Sequence, residues 1–269
     1  QPGDVVVEAF GCDPPAYFVE RMAQAASGPP VWINLEYLSA EDYVERSHGL
    51  TSPQLGGPGA GLVKWFFYPG FTRRTGGLLR ERGLLAAREM FEAAAWLAQR
   101  EIHPLPGEQV VSLFCYDNAT LPAVVDALAL QPTLLLATPG AATTQLRRLP
   151  DKAHSRAALR IIELPYLTQP DYDRLLWCCD LNFVRGEDSL VRAQWAGAPF
   201  VWQIYPQSDG AHEAKLDAFL DAFLDGAEAG FAADLRALWH VWNGLSGALR
   251  WPDLAAWRRH CENWCTRLA

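Results

Sequence analysis

The chain has 269 residues, half of them hydrophobic, and a formal charge of -8. That length can bury a substantial core and, at roughly 100–200 residues per domain, allows one or two domains. The acidic balance excludes a broad phosphate-backbone surface and suits a basic or arginine-bearing partner, and no apolar run approaches the roughly 18 residues of a membrane span.

Residues 4–10 (DVVVEAF) are a short apolar run ended by Gly11, residues 16–26 read as a helix, and residues 31–38 (VWINLEYL) are a second apolar run. The pattern predicts a strand, helix, strand unit. It starts at the first residue with no earlier β-α units around it, so it is expected to be the tail of a domain truncated at its start. Residues 1–30 lack the basic start and apolar centre of a signal peptide, and a cytoplasmic protein is expected.

Residues 49–76 are rich in Gly, Pro, Ser and Thr around the aromatic cluster WFFYPGF, which predicts a long loop and linker. Residues 78–100 are helical by composition. Strands are then predicted at 110–115, 133–138, 159–164, 181–184 and 199–204, alternating with helices at 121–130, 141–149, 171–178 and 189–195. Five apolar strands separated by helices demand right-handed crossovers and a parallel sheet covered on both faces, a Rossmann-like domain. From residue 212 the chain is helical, with breaks near 226–230, 244–247 and Pro252. Its last stretch, 254–268, places Trp257, Cys261, Trp264 and Leu268 on one helical face that needs a partner surface. The expected division is therefore 1–76, 77–250 and a final helix, 251–269, crossing back to the N-terminal half.

The six cysteines form no CxxC pair and no cluster with histidine, so they read as buried thiols rather than a zinc site or disulfide framework. The histidines form no constellation, and no Walker, GxSxG or HExxH motif is present. No metal is expected.

In an open parallel sheet, ligands bind at the carboxyl ends of the strands, where helix N-termini offer amides and a positive dipole to a phosphate. One such junction is Arg185-Gly186-Glu187-Asp188-Ser189, followed by a helix stopping at Gly197. Gly186 permits a tight turn, Asp188 or Ser189 can cap the helix, and Arg185 offers a forked cation to a diphosphate. Glu187 beside a phosphate site must accept from sugar hydroxyls or a cationic acceptor. An ordinary capped helix with solvated charges fits the same residues. A second candidate is Phe114-Cys115-Tyr116-Asp117-Asn118, whose aromatics can stack on a base and whose polar residues can bond hydroxyls or cap the next helix. Tyr166 and Gln169 sit at the equivalent edge and can read a base, although a plain turn fits them as well.

Three long strings carry a family resemblance. They are Trp32-Ile33-Asn34-Leu35-Glu36-Tyr37-Leu38-Ser39-Ala40-Glu41-Asp42; Phe66-Phe67-Tyr68-Pro69-Gly70-Phe71-Thr72 with Thr75-Gly76-Gly77-Leu78-Leu79-Arg80; and Asp180-Leu181-Asn182-Phe183-Val184 running into the Arg185 junction with Arg192-Ala193-Gln194-Trp195-Ala196-Gly197. The stretch Pro199-Phe200-Val201-Trp202-Gln203-Ile204-Tyr205-Pro206-Gln207 extends them. They resemble the protein-arginine rhamnosyltransferases of translation elongation factor P, over nearly the whole chain.

The resemblance implies an α/β protein of GT-B type, two facing Rossmann-like domains, the C-terminal one binding dTDP-β-L-rhamnose. It implies transfer of the sugar to an arginine of elongation factor P with inversion, without metal or cofactor, and without nucleic-acid or membrane partners. By the same resemblance Glu187 is the essential carboxylate, Asp188 and Ser189 are donor contacts, Tyr116 is the aromatic at base or sugar, and Gln169 meets the thymine, with Arg185 and Gly186 completing the loop. The family's opening strand and Gly-rich turn, with two aspartates of which one is regarded as the general base, has no counterpart here. Gln1-Pro2-Gly3-Asp4 matches the middle of that domain, and Asp4 and Asp13 do not take the catalytic role.

The residues alone also admit a GT-B transferase for another acceptor, such as a lipid or small glycoside, and a nonenzymatic nucleotide-sugar- or translation-factor-binding protein. The lipid version lacks a basic, apolar membrane-facing segment.

Overall fold

The computed structural model describes residues 1–26, 28–149, 158–207 and 210–269. The chain divides into two compact units, the first comprising Gln1–Leu79 with Asp217–Ala222, the second Arg80–Leu216 with Phe223–Ala269.

The first unit is built on strands β1 (Val5–Ala9), β2 (Val31–Leu35), β3 (Thr51–Pro53) and β4 (Val63–Phe67), with helices α1 (Ala16–Ala23) and α2 (Tyr43–Ser47). Its sheet order is β1-β2-β4-β3, with β1, β2 and β4 parallel and β3 antiparallel to β4. Alternation decides the core. Val6 and Trp32 face Val19 and Met22 of α1 and Leu62, while Val5, Val7, Val31 and Trp65 stay exposed on the other face. Glu8 shares the buried face. Its carboxylate is tolerated there because Trp32 Nε1 donates to Oε2 at 3.0 Å and Lys64 Nζ lies 2.5 Å from Oε1.

This unit corrects one expectation. Residues 49–76 are not a continuous loop, because β3, a single 3-10 turn at Gly57–Gly59 and β4 lie within them. The turn residues hid a hairpin-like pair whose short partner strand ends at Pro53, a residue an edge strand accommodates.

In the second unit, strands β5 (Gln109–Leu113), β6 (Thr133–Ala137), β7 (Leu159–Glu163), β8 (Leu181–Arg185) and β9 (Phe200–Gln203) are all parallel, in the order β7-β6-β5-β8-β9. The helices that follow in chain order are α3 (Leu84–Glu89), α4 (Ala93–Ala98), α5 (Leu121–Leu128), α6 (Ala141–Leu146), α7 (Gln169–Cys178), α8 (Asp188–Ala196), α9 (Ala211–Phe223, of which Asp217–Ala222 belong to the first unit), α10 (Ala229–Trp242) and α11 (Leu254–Leu268). Every residue of β6 and β9 is buried, as the unbroken apolar runs predict for strands covered on both faces. At the sheet centre Ser112 Oγ donates to Asn182 Oδ1 at 2.6 Å, and Asn182 Nδ2 donates to the Leu176 carbonyl at 3.1 Å. This satisfied polar pair pins the β5–β8 register, Ser112 opposite Asn182.

One expectation changes here. The helix predicted over 78–100 is two short helices, α3 and α4, separated where Glu92 turns extended. The final helix packs inside the second unit: Trp264 Nε1 donates to Gln194 Oε1 of α8 at 2.8 Å, and Trp257, Cys261, Trp264 and Cys265 are buried. The apolar face is where the spacing puts it, and it covers α8. All six cysteines are free thiols, and Cys12 is exposed rather than buried.

Candidate active site

The strand order sets the place. From β5 the chain winds outward through β6 to β7, then returns to the other side of β5 for β8 and β9. The carboxyl ends of β5 and β8 therefore flank the point where the winding reverses, where such sheets hold ligands. A pocket of about 560 Å³ opens there, lined by Phe114 after β5, Thr138, Pro139 and Gly140 after β6, Tyr166, Leu167, Gln169 and Tyr172 after β7, and Arg185 through Ser189 after β8. Its size is that of a small-molecule site.

The turn after β8 is tightly specified. Gly186 adopts φ +67°, a backbone that favours glycine, and a Cβ there would lie 3.1 Å from the Tyr116 hydroxyl, which would have to give way. Ser189 Oγ accepts from the Arg185 amide at 3.0 Å and donates to the Arg185 carbonyl. Among the described residues, the N-cap of α8, Glu187, makes no side-chain capping hydrogen bond. Asp188 and Ser189 are thus not the caps that their residue types suggest. The amides of that turn stay available to an anion. Gly197, at φ +68°, ends the helix in the left-handed conformation, as its stop signal predicts.

Arg185 is the cation of the pocket. Its guanidinium lies 4.3 Å from the ring centroids of both Phe114 and Tyr116, and its Nε is buried without a hydrogen-bond partner among the described residues. Two aromatic faces hold the charge in place without neutralising it. Tyr116 is not on the pocket wall; it meets the site through Arg185 and sets its ring edge-on to Tyr205 at 5.5 Å. Gln203 Oε1 accepts from the Tyr116 amide at 2.8 Å and Gln145 Nε2 donates to its carbonyl at 3.0 Å, fixing the strand exit. Asn118 is structural: it accepts from the Thr120 amide and donates to the Trp242 carbonyl, both at 2.8 Å.

Two carboxylates follow the glycine. Glu187 lies 3.8 Å from Lys215 Nζ. Asp188 Oδ2 accepts from Gln169 Nε2 at 2.6 Å and from Arg192 Nε at 3.1 Å. Arg192 also grips Asp173 and Glu81, and these bonds outweigh the burial that would lower its pKa and hold it raised. Burial raises the Asp173 pKa against the opposing pull of Arg192.

The structure gathers Gln169, Arg185, Gly186, Glu187, Asp188 and Ser189 around one pocket, with Tyr116 one residue away through Arg185. Sequence reasoning missed Thr138-Pro139-Gly140, Leu167, Tyr172 and the Arg192 fork. The Pro-Gly pair directly after the second strand of the sheet is the signal that marks the first of these as a strand-exit turn. Among the described residues, no group of three or more His, Cys, Asp or Glu side chains is placed to hold a metal, and no helix is long and apolar enough to cross a membrane.

Two α/β units on largely parallel sheets, one with a pocket at its switch point, have the architecture of the GT-B class. The model of the elongation-factor P (EF-P) rhamnosyltransferase family EarP matches residues 1–269. The protein-arginine rhamnosyltransferase of Pseudomonas aeruginosa is 45% identical over 97% of this chain and 73% of its own, and that of Pseudomonas putida 45% identical over 100% and 75%. A solved structure addressing EarP-mediated arginine glycosylation of translation elongation factor EF-P is similar with a TM-score of 0.63 and 28% identity, over 98% of this chain and 93% of that one. The chain belongs to the EarP family.

Proposed function

We propose that this protein transfers L-rhamnose from dTDP-β-L-rhamnose to an arginine side chain of elongation factor P in the cytoplasm, with inversion at the anomeric carbon. The observation that carries this reading is Arg185, whose buried Nε has no hydrogen-bond partner among the described residues, clamped between Phe114 and Tyr116 beside the start of α8, where the N-cap residue makes no side-chain capping bond. A diphosphate supplies the negative charge that arrangement lacks. The relatives named above act on arginine and transfer rhamnose by their own descriptions, which directs the same reading here.

In this reading the pocket holds the nucleotide, with Tyr116, Gln169, Arg185, Gly186, Asp188 and Ser189 as the donor site. A guanidinium nitrogen of the acceptor attacks the anomeric carbon as the bond to the diphosphate oxygen breaks. Arg185 and the first-turn amides of α8 take up the charge that develops on departing dTDP. Guanidinium has a pKa above about 12 and a delocalised lone pair, so attack requires a carboxylate to orient it and receive its proton. Glu187, at the rim of the donor loop, takes that role, and no metal is needed in this scheme.

The test is mass spectrometry of elongation factor P after incubation with the protein and dTDP-rhamnose. A gain of one deoxyhexose on an arginine is expected. An unmodified factor, with dTDP-rhamnose still bound by calorimetry, would keep the donor site and reject this acceptor.

A further inference from the structure

Arg192 lies one helical turn beyond Asp188 in α8 and is only 8% exposed. Its guanidinium bonds carboxylates through all three nitrogens. Nε donates to Asp188 Oδ2 at 3.1 Å, Nη1 to both oxygens of buried Asp173 in α7 at 2.9 and 2.8 Å, and Nη2 to Glu81 at 2.7 Å. A planar fork tied to three carboxylates from three segments cannot rotate without breaking a buried bidentate pair, which is costly. Asp188 is thereby set against a fixed post, although its own side chain is well exposed.

The second partner of Asp188 Oδ2 is the Gln169 side chain, at 2.6 Å. An ionised carboxylate only accepts hydrogen bonds. The end of the Gln169 amide facing Asp188 must therefore be its NH2, which leaves the amide oxygen as the group presented to a ligand. Gln169 lines the pocket, so the polarity of that amide selects what can dock beside it. An outward oxygen takes an N–H donor. The ring imide of thymine or uracil offers one, whereas cytosine offers a bare acceptor nitrogen at the same position.

We infer that Arg192 is a positioning residue for the donor base: by holding Asp188 it locks the Gln169 amide with its oxygen toward the ligand, and so favours an imide base over an amino base. This rests on the reading of the pocket as the donor-nucleotide site. Arg192 touches neither the sugar nor the acceptor in this assignment, and its effect falls on donor affinity and base choice.

The experiment is calorimetric titration of dTDP and dCDP into the wild-type protein and into Arg192→Met, Asp188→Ala and Gln169→Ala. Wild type is expected to prefer dTDP by about tenfold or more, the scale on which a site built for one hydrogen-bonding pattern rejects another. Arg192→Met and Asp188→Ala should both bring that preference close to unity. Asp188→Ala removes the exposed acceptor of the Gln169 amide and leaves the buried Arg192–Asp173 pair in place, so it reports the amide polarity even if Arg192→Met does not fold. A merely structural Arg192 would weaken both nucleotides alike. Unchanged discrimination in Asp188→Ala or in folded Arg192→Met overturns the inference and leaves the pocket reading standing. No dTDP binding by wild type, or a dTDP preference untouched by Gln169→Ala, overturns the base reading and the inference with it.

Discussion

The hydroxyl of Ser189 closes a ring with the backbone of Arg185, accepting from its amide at 3.0 Å and donating to its carbonyl. This contact shapes the turn between β8 and α8 and spends the hydroxyl on the protein itself. Ser189 can therefore serve a diphosphate through its backbone amide only, not through its side chain. Ser189→Ala should loosen the turn and weaken dTDP binding about tenfold, with a stability loss of about 1 kcal/mol, the usual worth of a lost intramolecular hydrogen bond. Calorimetry beside thermal melts separates the two effects; a variant binding as wild type does would show that the ring is not needed to form the site.

Gly186 answers to two constraints at once, a left-handed backbone and the Tyr116 hydroxyl, which lies 3.1 Å from where a methyl group would sit. Gly186→Ala should cost about 1–2 kcal/mol from the backbone alone and displace Tyr116 from Arg185. The pair Gly186→Ala with Tyr116→Phe removes the hydroxyl clash but not the backbone strain. The double variant should recover part of the lost donor affinity and little of the lost melting temperature. Full recovery of both would place the whole cost in the side-chain contact.

Glu187→Gln keeps the size of the side chain and removes its ability to take a proton. With elongation factor P as acceptor, kcat should fall about 100-fold or more, the range of a lost general base, while dTDP-rhamnose affinity stays within about twofold. Retained turnover would assign the proton to another group. Arg185→Lys should do the reverse in part, weakening donor binding because an ammonium cannot lie flat between Phe114 and Tyr116, at 4.3 Å from each.

Much of the second unit can be read from the chain because its strands are buried on both faces: the unbroken apolar runs at β6 and β9 allow no other placement. The same reading finds the Arg185 turn, since Gly186 and the helix stop at Gly197 bracket a short, polar strand exit. What escapes it is set by contacts distant in sequence. Arg192 reads as one more charge on a helix until Glu81, 111 residues earlier, is seen bonded to it. The face of Trp257, Cys261 and Trp264 says that α11 needs a partner, but only the Trp264–Gln194 bond names α8 as that partner. In the first unit, β4 is hidden because its residues are only part-buried and sit among turn formers, where pairing with β2 rather than composition makes the strand.

His260 supplies a pH dependence of stability that the active site does not control. Its ring stands edge-on to Phe223 at 4.8 Å and beside Phe231 at 5.3 Å, and its Nε2 is 2.8 Å from the Phe223 carbonyl. Burial lowers its pKa below the ordinary histidine value, with the Phe223 carbonyl opposing and Arg267 adding to the shift. As pH falls below about 6.5 the unfolded chain takes up this proton while the folded protein resists it. The unfolded state then binds more protons, so stability must decline with decreasing pH from that point, and level off once the folded histidine is also charged. Above it the contribution is constant. Melting temperatures of the wild type measured from pH 8 to pH 5 should show this descent, and His260→Gln, which keeps a donor for the Phe223 carbonyl but has no proton to gain, should flatten it. An equal slope in both proteins would assign the acid sensitivity to other groups.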